Sequence, residues 1–295
     1  MTKVAILGFG TVGSGVAEVL SKNSQGIARR SGGEIQVKYI LDVRDFPDSP
    51  FKDCFVKDFS IIENDPEVDV VVETIGGAKV ALEFTTRALK AGKSVVSSNK
   101  ELVATHGYEL LQLAKANGVS YLFEASVGGG IPILRPLTNC LAANEVEQIT
   151  GILNGTTNYI LTRMIKAGLT FEQALKEAQD NGYAEKDPTA DVDGHDACRK
   201  ICILSALACG QHVYPQQVPT QGIREVTLAD VAYADSCGYK IKLLGRCLRE
   251  PEGKVCAFVA PHLVSCENPL AGVEDVFNAI AVTGNAVGDV MFYGR

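Results

Sequence analysis

The sequence has no tryptophan and no C-x-x-C pair among its nine cysteines. No apolar run approaches the roughly 18 residues that a membrane-spanning helix needs; the valine-rich segment 68–72 is short, contains Asp69 and is bracketed by acids. The first residues, Met1-Thr2-Lys3, lead directly into an apolar segment without the pattern of a signal peptide. We therefore expect reduced thiols and a protein of the cytoplasm that does not enter a membrane.

An excess of positive charge is also missing. Lysine and arginine number 28 against 35 acids, which gives a net charge of −7. Nucleic-acid binding requires clustered basic residues to neutralise phosphates, so it is not expected here. The 46% apolar content argues against disorder, and 295 residues suggest roughly two domains of about 150 residues each.

The first part of the chain alternates strand-like and helix-like segments. Continuous apolar strands that alternate with helices predict a parallel sheet covered on both faces, which is a doubly wound α/β domain over residues 1–130. The predicted strands are 4–7, 35–41, 69–73, 94–98 and 120–124, with helices following the glycine-rich loop at 8–15 and at 79–91 and 107–117.

Beyond residue 130 the rhythm changes to helices followed by strands. Pro132 can open a helix that runs to about residue 143. Thr170 and Gln173 form a capping-box signal for a helix that ends near 181–182. Residues 131–295 therefore predict an α+β domain, with further helices at 156–167 and 194–209 and strands at 239–248, 254–264 and 276–283.

A glycine-rich loop follows the first predicted strand and has the form G-x-G-x-x-G. Its glycines permit a tight turn, a close approach of a pyrophosphate and tight helix–strand packing, and the following helix start attracts phosphate. The alternative is an ordinary glycine-rich turn between a strand and a helix. The setting favours a Rossmann-type cofactor site that comprises Gly8, Phe9, Gly10, Thr11, Val12 and Gly13, together with Thr74 beyond the third predicted strand.

Two other strand ends bear on the cofactor. The second predicted strand ends in Asp42-Val43-Arg44-Asp45. There an acid favours the 2′-hydroxyl of NAD and an arginine the 2′-phosphate of NADP. Arg44 leads us to favour NADP, with NAD left open. Lys100 follows another strand, where ligands bind in doubly wound sheets, although a solvated surface lysine is the alternative.

The densest polar segment spans 183–200 and contains Asp187, Asp191, Asp193 and Asp196 ahead of an apolar helix. Acids favour a helix N-terminus, and Asp196 and Lys200 are spaced to share one helix face. This segment is either catalytic or a set of helix caps with one surface ion pair.

Several motifs, taken in order, resemble the homoserine dehydrogenase family over nearly the whole chain. The most specific of them are 154–160 and 183–200, and the others are 8–13, 97–100 and 124–132. The resemblance implies interconversion of L-aspartate 4-semialdehyde and L-homoserine with NAD(P)H, in the threonine and methionine branch of amino-acid biosynthesis. It also implies a homodimer or homotetramer.

The resemblance also implies roles for individual residues. Lys200 matches the catalytic lysine, Asp196 its partner and Lys100 a second active-site lysine. The implied substrate-binding residues are Glu185, Gly155, Thr156 and Asp191. A structural sodium ion is implied at Glu124, Val127, Gly129 and Ile131, held largely by backbone carbonyls.

Two other classes of function remain open at this stage. One is a related dehydrogenase that acts on another small amino-acid aldehyde, and the other is a non-catalytic NAD(P)-binding regulatory protein. The sequence stops at 291–295, where the resembling family continues into a glycine-rich turn and a helix. We expect a molecule that ends there to have weak activity or a loosened cofactor site.

Overall fold

The computed structural model describes all residues from Met1 to Arg295. The chain forms two compact units, Met1–Ser126 and Val127–Arg295. The division lies four residues before the predicted boundary at 130. No helix in the chain combines the length and the apolarity needed to cross a membrane.

The first unit is built on a six-stranded sheet whose neighbouring strands all run parallel. Its strand order is β3-β2-β1-β4-β5-β6, the order of a dinucleotide-binding fold, with the direction of winding reversing between β1 and β4. This confirms the predicted doubly wound domain. The strands are β1 (Thr2–Leu7), β2 (Ile35–Leu41), β3 (Phe55–Val56), β4 (Val70–Glu73), β5 (Ser94–Ser97) and β6 (Tyr121–Leu122).

The helices of this unit connect successive parallel strands. They are α1 (Thr11–Lys22), α2 (Ser24–Ser31), α3 (Phe59–Glu63), α4 (Lys79–Lys90) and α5 (Lys100–Ala116). Helix α2 occupies the polar connection that the sequence pattern left without an element. Helix α5 begins seven residues before its predicted start at 107, directly after the end of β5.

The second unit contains an antiparallel five-stranded sheet in the order β11-β10-β7-β8-β9. Its strands are β7 (Val146–Ile152), β8 (Tyr239–Arg249), β9 (Val255–Ser265), β10 (Asn278–Gly284) and β11 (Gly288–Gly294). Its helices are α6 (Gly155–Ala167), α7 (Phe171–Asp180), α8 (Thr189–Val192), α9 (His195–Cys209) and α10 (Leu228–Ser236). Helix α9 packs on β8 and β9, and Thr170 and Gln173 form the predicted capping box. The α+β prediction is confirmed.

One predicted helix of this unit is wrong, and strands β7 and β11 were not predicted. The helix expected from Pro132 to 143 is only a short turn, π-helical over Pro136–Cys140. Strand β7 was missed, although it lies between β10 and β8 and is hydrogen-bonded to both. Its sequence, VEQITGI, mixes polar residues and a glycine with the apolar ones, so it shows no clean alternation.

Candidate active site

The glycine-rich loop joins β1 to α1 in the geometry that phosphate binding requires. Gly8 has a φ of +90°, and a Cβ at Gly13 would lie 2.0 Å from the Gly8 carbonyl oxygen. Only glycine therefore allows the helix to pack this closely on the loop. Gly10 precedes α1 without a side-chain cap, and a Cβ there would meet nothing within 4 Å. The N–H groups of the first turn, which begins with Thr11 and Val12, are thus open to an anion.

Thr74 supports this loop from the neighbouring strand end. Its hydroxyl lies 2.9 Å from Leu7 O and 3.0 Å from Gly8 O, and its amide donates to Leu7 O at 2.9 Å. Since these bonds cross the switch point between β1 and β4, they fix the loop at the predicted cofactor crevice. Its role as a cofactor-binding residue stays a prediction.

Asp42 and Arg44 act as one unit at the end of β2. Arg44 Nε and its amide donate to Asp42 Oδ1 at 3.1 and 2.9 Å, while Arg44 Nη2 and the Phe9 amide donate to Oδ2 at 3.0 and 2.7 Å. The Arg44 guanidinium, aided by these two backbone amides, holds the pKa of Asp42 well below its usual range. A carboxylate has about four lone-pair positions, so Asp42 is saturated within the protein.

Lys100 is the first residue of α5, and a buried network fixes that helix start. Glu73, fully buried at the end of β4, accepts from Ser97 Oγ at 2.5 Å and from the Ile75 amide at 2.7 Å. The Asn99 side chain caps α5, since its Oδ1 accepts from the Leu102 amide at 3.0 Å. The backbone amide of Asn99 donates to Ser97 Oγ at 3.0 Å. Burial raises the pKa of Glu73. Glu73 was not predicted as a site residue, although an acid directly after three valines was an available signal.

In the second unit, α9 carries the predicted lysine–aspartate pair. Lys200 Nζ lies 2.8 Å from Asp196 Oδ2 and 2.7 Å from Leu153 O. The Asp196 side chain is 2% exposed and that of Lys200 16%, so the interpretation as a surface ion pair is wrong. The ammonium has one further N–H, which neither of these acceptors uses.

Asn154 links this pair to Asp191 and was missed as a site residue. Its Nδ2 donates to Asp191 Oδ1 at 2.8 Å and to Asp196 Oδ2 at 2.9 Å. Its Oδ1 accepts from the Thr157 amide at 2.9 Å and so caps α6. One side chain thereby sets the start of α6 and the position of two carboxylates.

The predicted substrate-binding residues Gly155 and Thr156 form the first turn of α6. Thr156 Oγ1 donates to Tyr183 O at 2.7 Å, and Gln179 Nε2 donates to Glu185 O at 3.1 Å. These bonds tie the segment that holds Glu185 to α6 and α7. Glu185 is exposed, so its carboxylate can be reached from solvent.

The predicted sodium residues fall in two places. Glu124 opens a short 3₁₀ turn, Glu124–Ser126, in the first unit. Val127, Gly129 and Ile131 lie in a tight turn of the second unit, in which Ile131 N donates to Gly128 O at 2.9 Å and Gly129 has a φ of +58°. The backbone there is folded back on itself, and its carbonyl oxygens are ligands of the hard type that sodium takes.

Two family models match the chain, and both describe homoserine dehydrogenase. Residues 8–124 match the model of its NAD-binding domain, and residues 132–295 match the model named for the enzyme itself. Together the two models span nearly the whole chain.

Known proteins agree with these models. The chain is 42% identical to homoserine dehydrogenase of Bacillus subtilis and 44% identical to that of Pseudomonas aeruginosa. These matches cover 99% of the chain and 68% and 67% of the relatives. A crystal structure of homoserine dehydrogenase from Thiobacillus denitrificans superposes with a TM-score of 0.94 at 41% identity, over all of this chain and 68% of the other.

A hyperthermophilic archaeal homoserine dehydrogenase in complex with NADPH superposes with a TM-score of 0.82 at 30% identity, over all of this chain and 91% of the other. Both units thus match solved structures of one enzyme family at identities above the level at which only the fold is shared. The resemblance read from the sequence motifs is confirmed, and the chain belongs to the homoserine dehydrogenase family.

Proposed function

We propose that the chain interconverts L-homoserine and L-aspartate 4-semialdehyde, with NADP as the preferred cofactor and NAD as the alternative. Membership of the family makes it an NAD(P)-dependent oxidoreductase that acts on homoserine. The observation that carries the proposal is the pair of the partly buried Lys200 and the buried Asp196, joined to Asp191 through Asn154.

Lys200 has the chemistry that aldehyde reduction requires of the protein. A bound nicotinamide cofactor supplies the hydride. As the carbonyl oxygen becomes an alkoxide, a lysine ammonium can stabilise the charge and then donate a proton. Asp196 holds Lys200 in one rotamer, and Leu153 O takes a second N–H, so the remaining N–H has a defined direction for the substrate oxygen.

The remaining predicted residues supply binding. We assign Glu185 to the substrate ammonium, since a carboxylate accepts a charge-assisted hydrogen bond from it. Gly155 and Thr156 present the start of α6, and Asp191 is fixed beside them by Asn154. Lys100, at the start of α5, is the proposed second lysine near the nicotinamide.

The state of Asp42 supports NADP. A ribose 2′-hydroxyl would have to displace one of the donors that already saturate this carboxylate. The Arg44 side chain is 59% exposed and has N–H donors beyond those used on Asp42, which suit a phosphate.

Two further expectations stay proposals. The chain works in the cytoplasm as a homodimer or homotetramer, as its family resemblance implies. Measurement of the molar mass in solution at micromolar protein concentration tests the oligomeric state, and a monomer would contradict the proposal.

Replacing Lys200 with alanine is expected to lower kcat by about a thousandfold, because the positioned acid is lost. The dissociation constant of NADPH should stay the same, since the glycine-rich loop is untouched. Lys176→Ala serves as the control, because Lys176 forms only an exposed ion pair with Asp180. A kcat of Lys200→Ala equal to the wild-type value would contradict the catalytic role of Lys200.

Two substitutions of Asn154 distinguish its contribution to stability from its contribution to catalysis. Asn154→Ser keeps a good helix cap but cannot bridge two carboxylates, so activity should fall at nearly unchanged stability. Asn154→Ala should lose the same activity and also about 1 kcal/mol of stability, which thermal unfolding detects as a shift of about 3 °C. Full activity in Asn154→Ser would show that the bridge is not needed.

Arg44→Ala is expected to weaken NADPH by about tenfold and NADH little, because a charge-assisted contact to the 2′-phosphate is lost. Dissociation constants from the fluorescence of the two reduced cofactors measure this. Arg30→Ala, an exposed arginine on α2, is the control for net charge. Equal losses for both cofactors would remove the preference for NADP.

We also propose the structural sodium ion at Glu124, Val127, Gly129 and Ile131, supported by the hard oxygen donors of that turn. An ion that binds only the folded state raises the melting temperature. Sodium chloride should therefore stabilise the protein more than choline chloride at equal concentration. Equal melting curves in the two salts would contradict the site.

A further inference from the structure

The loop 273–277 is held on α6 by the side chain of Asn158. Its Nδ2, which has two N–H groups, lies 3.2 Å from Val273 O, 3.1 Å from Asp275 O and 3.1 Å from Phe277 O, so one N–H is shared between two acceptors. One side-chain amide thus contacts the carbonyl groups of every second residue from 273 to 277, and these contacts define the curvature of the loop. We call residues 273–277 the clamp loop.

Lys242 completes this arrangement from the sheet below. It lies on β8, is 1% exposed, and its Nζ donates to Asn158 Oδ1 at 3.1 Å and also to Val273 O. Burial lowers the pKa of Lys242 to about 8, so the group still carries its proton at neutral pH. The ammonium therefore orients the Asn158 amide, whose nitrogen must face the clamp loop.

The clamp loop rests directly on the first residue of α6. A Cβ at Gly155 would lie 2.6 Å from Val276 O, so the two backbones are in contact with no room for a side chain. Asp275 has a φ of +54°, and its amide donates to Thr162 Oγ1 at 3.1 Å. The loop is thereby fixed at both the first and second turns of α6.

We propose that Lys242 is a positioning residue for the substrate site. With Asn158 it holds the clamp loop against Gly155 and so fixes the α6 start that carries Asn154, Gly155 and Thr156. That the start of α6 binds substrate rests on the proposed function. The contacts that hold the clamp loop do not depend on it.

The chemistry of Lys242 argues against a role in packing alone. A buried ammonium loses its hydration, and an apolar side chain of similar size often stabilises a core at least as well. Met at this position would fill the space and leave Val273 O and Asn158 Oδ1 without the ammonium. What the lysine adds is therefore direction, namely the orientation of Asn158 and the place of the clamp loop.

The test is Lys242→Met, with Lys240→Met as the matched control. Lys240 lies two residues away on the same strand and pairs with Glu274 of the clamp loop at 3.6 Å, but its side chain is partly exposed. Lys242→Met should raise KM for homoserine by about tenfold, with a smaller change in kcat. It should leave the dissociation constant of NADPH unchanged. Lys240→Met should stay within about twofold of wild type in every constant.

A merely structural role would act differently. General destabilisation reduces the active fraction and lowers kcat, whereas a displaced binding residue raises KM. Hydrogen exchange gives a readout that does not need activity: amides of 155–162 and of the clamp loop should exchange faster in Lys242→Met and at the wild-type rate in Lys240→Met.

Each outcome decides the matter. An unchanged KM with unchanged exchange in a folded Lys242→Met protein overturns the inference. If that variant does not fold, Asn158→Ala decides in the same two measurements, because it removes the same clamp from the opposite side. If wild-type protein does not oxidise homoserine, the proposed function fails, while the exchange comparison still tests the clamp.

Discussion

The first turn of a helix leaves backbone N–H groups that need acceptors, and this requirement organises both units. Helices α5 and α6 are capped by Asn99 and Asn154, whose amide nitrogens then donate to neighbouring strand ends or carboxylates. Helix α1 begins at Thr11, and the preceding residue, Gly10, provides no such cap. The two asparagine caps fix the helix starts of the proposed catalytic and substrate-binding residues, and the uncapped helix leaves its N–H donors open to a phosphate.

Buried charge is the second constraint. An ion pair removed from water is not stabilising by default, because desolvation offsets much of the attraction. Asp196 is nevertheless buried and Lys200 largely so, and each has a further polar partner in Asn154 or Leu153 O. Lys242 has acceptors but no carboxylate in hydrogen-bond contact. Such groups fix the direction of their partners more than they contribute stability.

Elements with strong local signals could be predicted from the sequence. Apolar runs such as the one in β1 and the Thr170 capping box specify structure within a few residues of themselves. Strand β7 could not be found this way, since its stability comes from hydrogen bonds to β8 and β10, whose paired residues are all more than 90 residues away in sequence. The short π-helical turn at 136–140 likewise results from packing, and it cannot be predicted from Pro132 alone.

At the candidate site, the residue types could be predicted from the sequence, but their hydrogen-bond partners could not. Asp42 and Arg44 read from the sequence as competing signs for two cofactors, because each type has its own preferred ribose substituent. In the fold Asp42 accepts from the Arg44 guanidinium and the Phe9 amide, so of the two side chains only Arg44 has hydrogen-bonding groups left over for a ligand. Asn154 shows the same limit: an asparagine before a helix predicts a cap, but only the folded chain brings Asp191 and Asp196 to its other end.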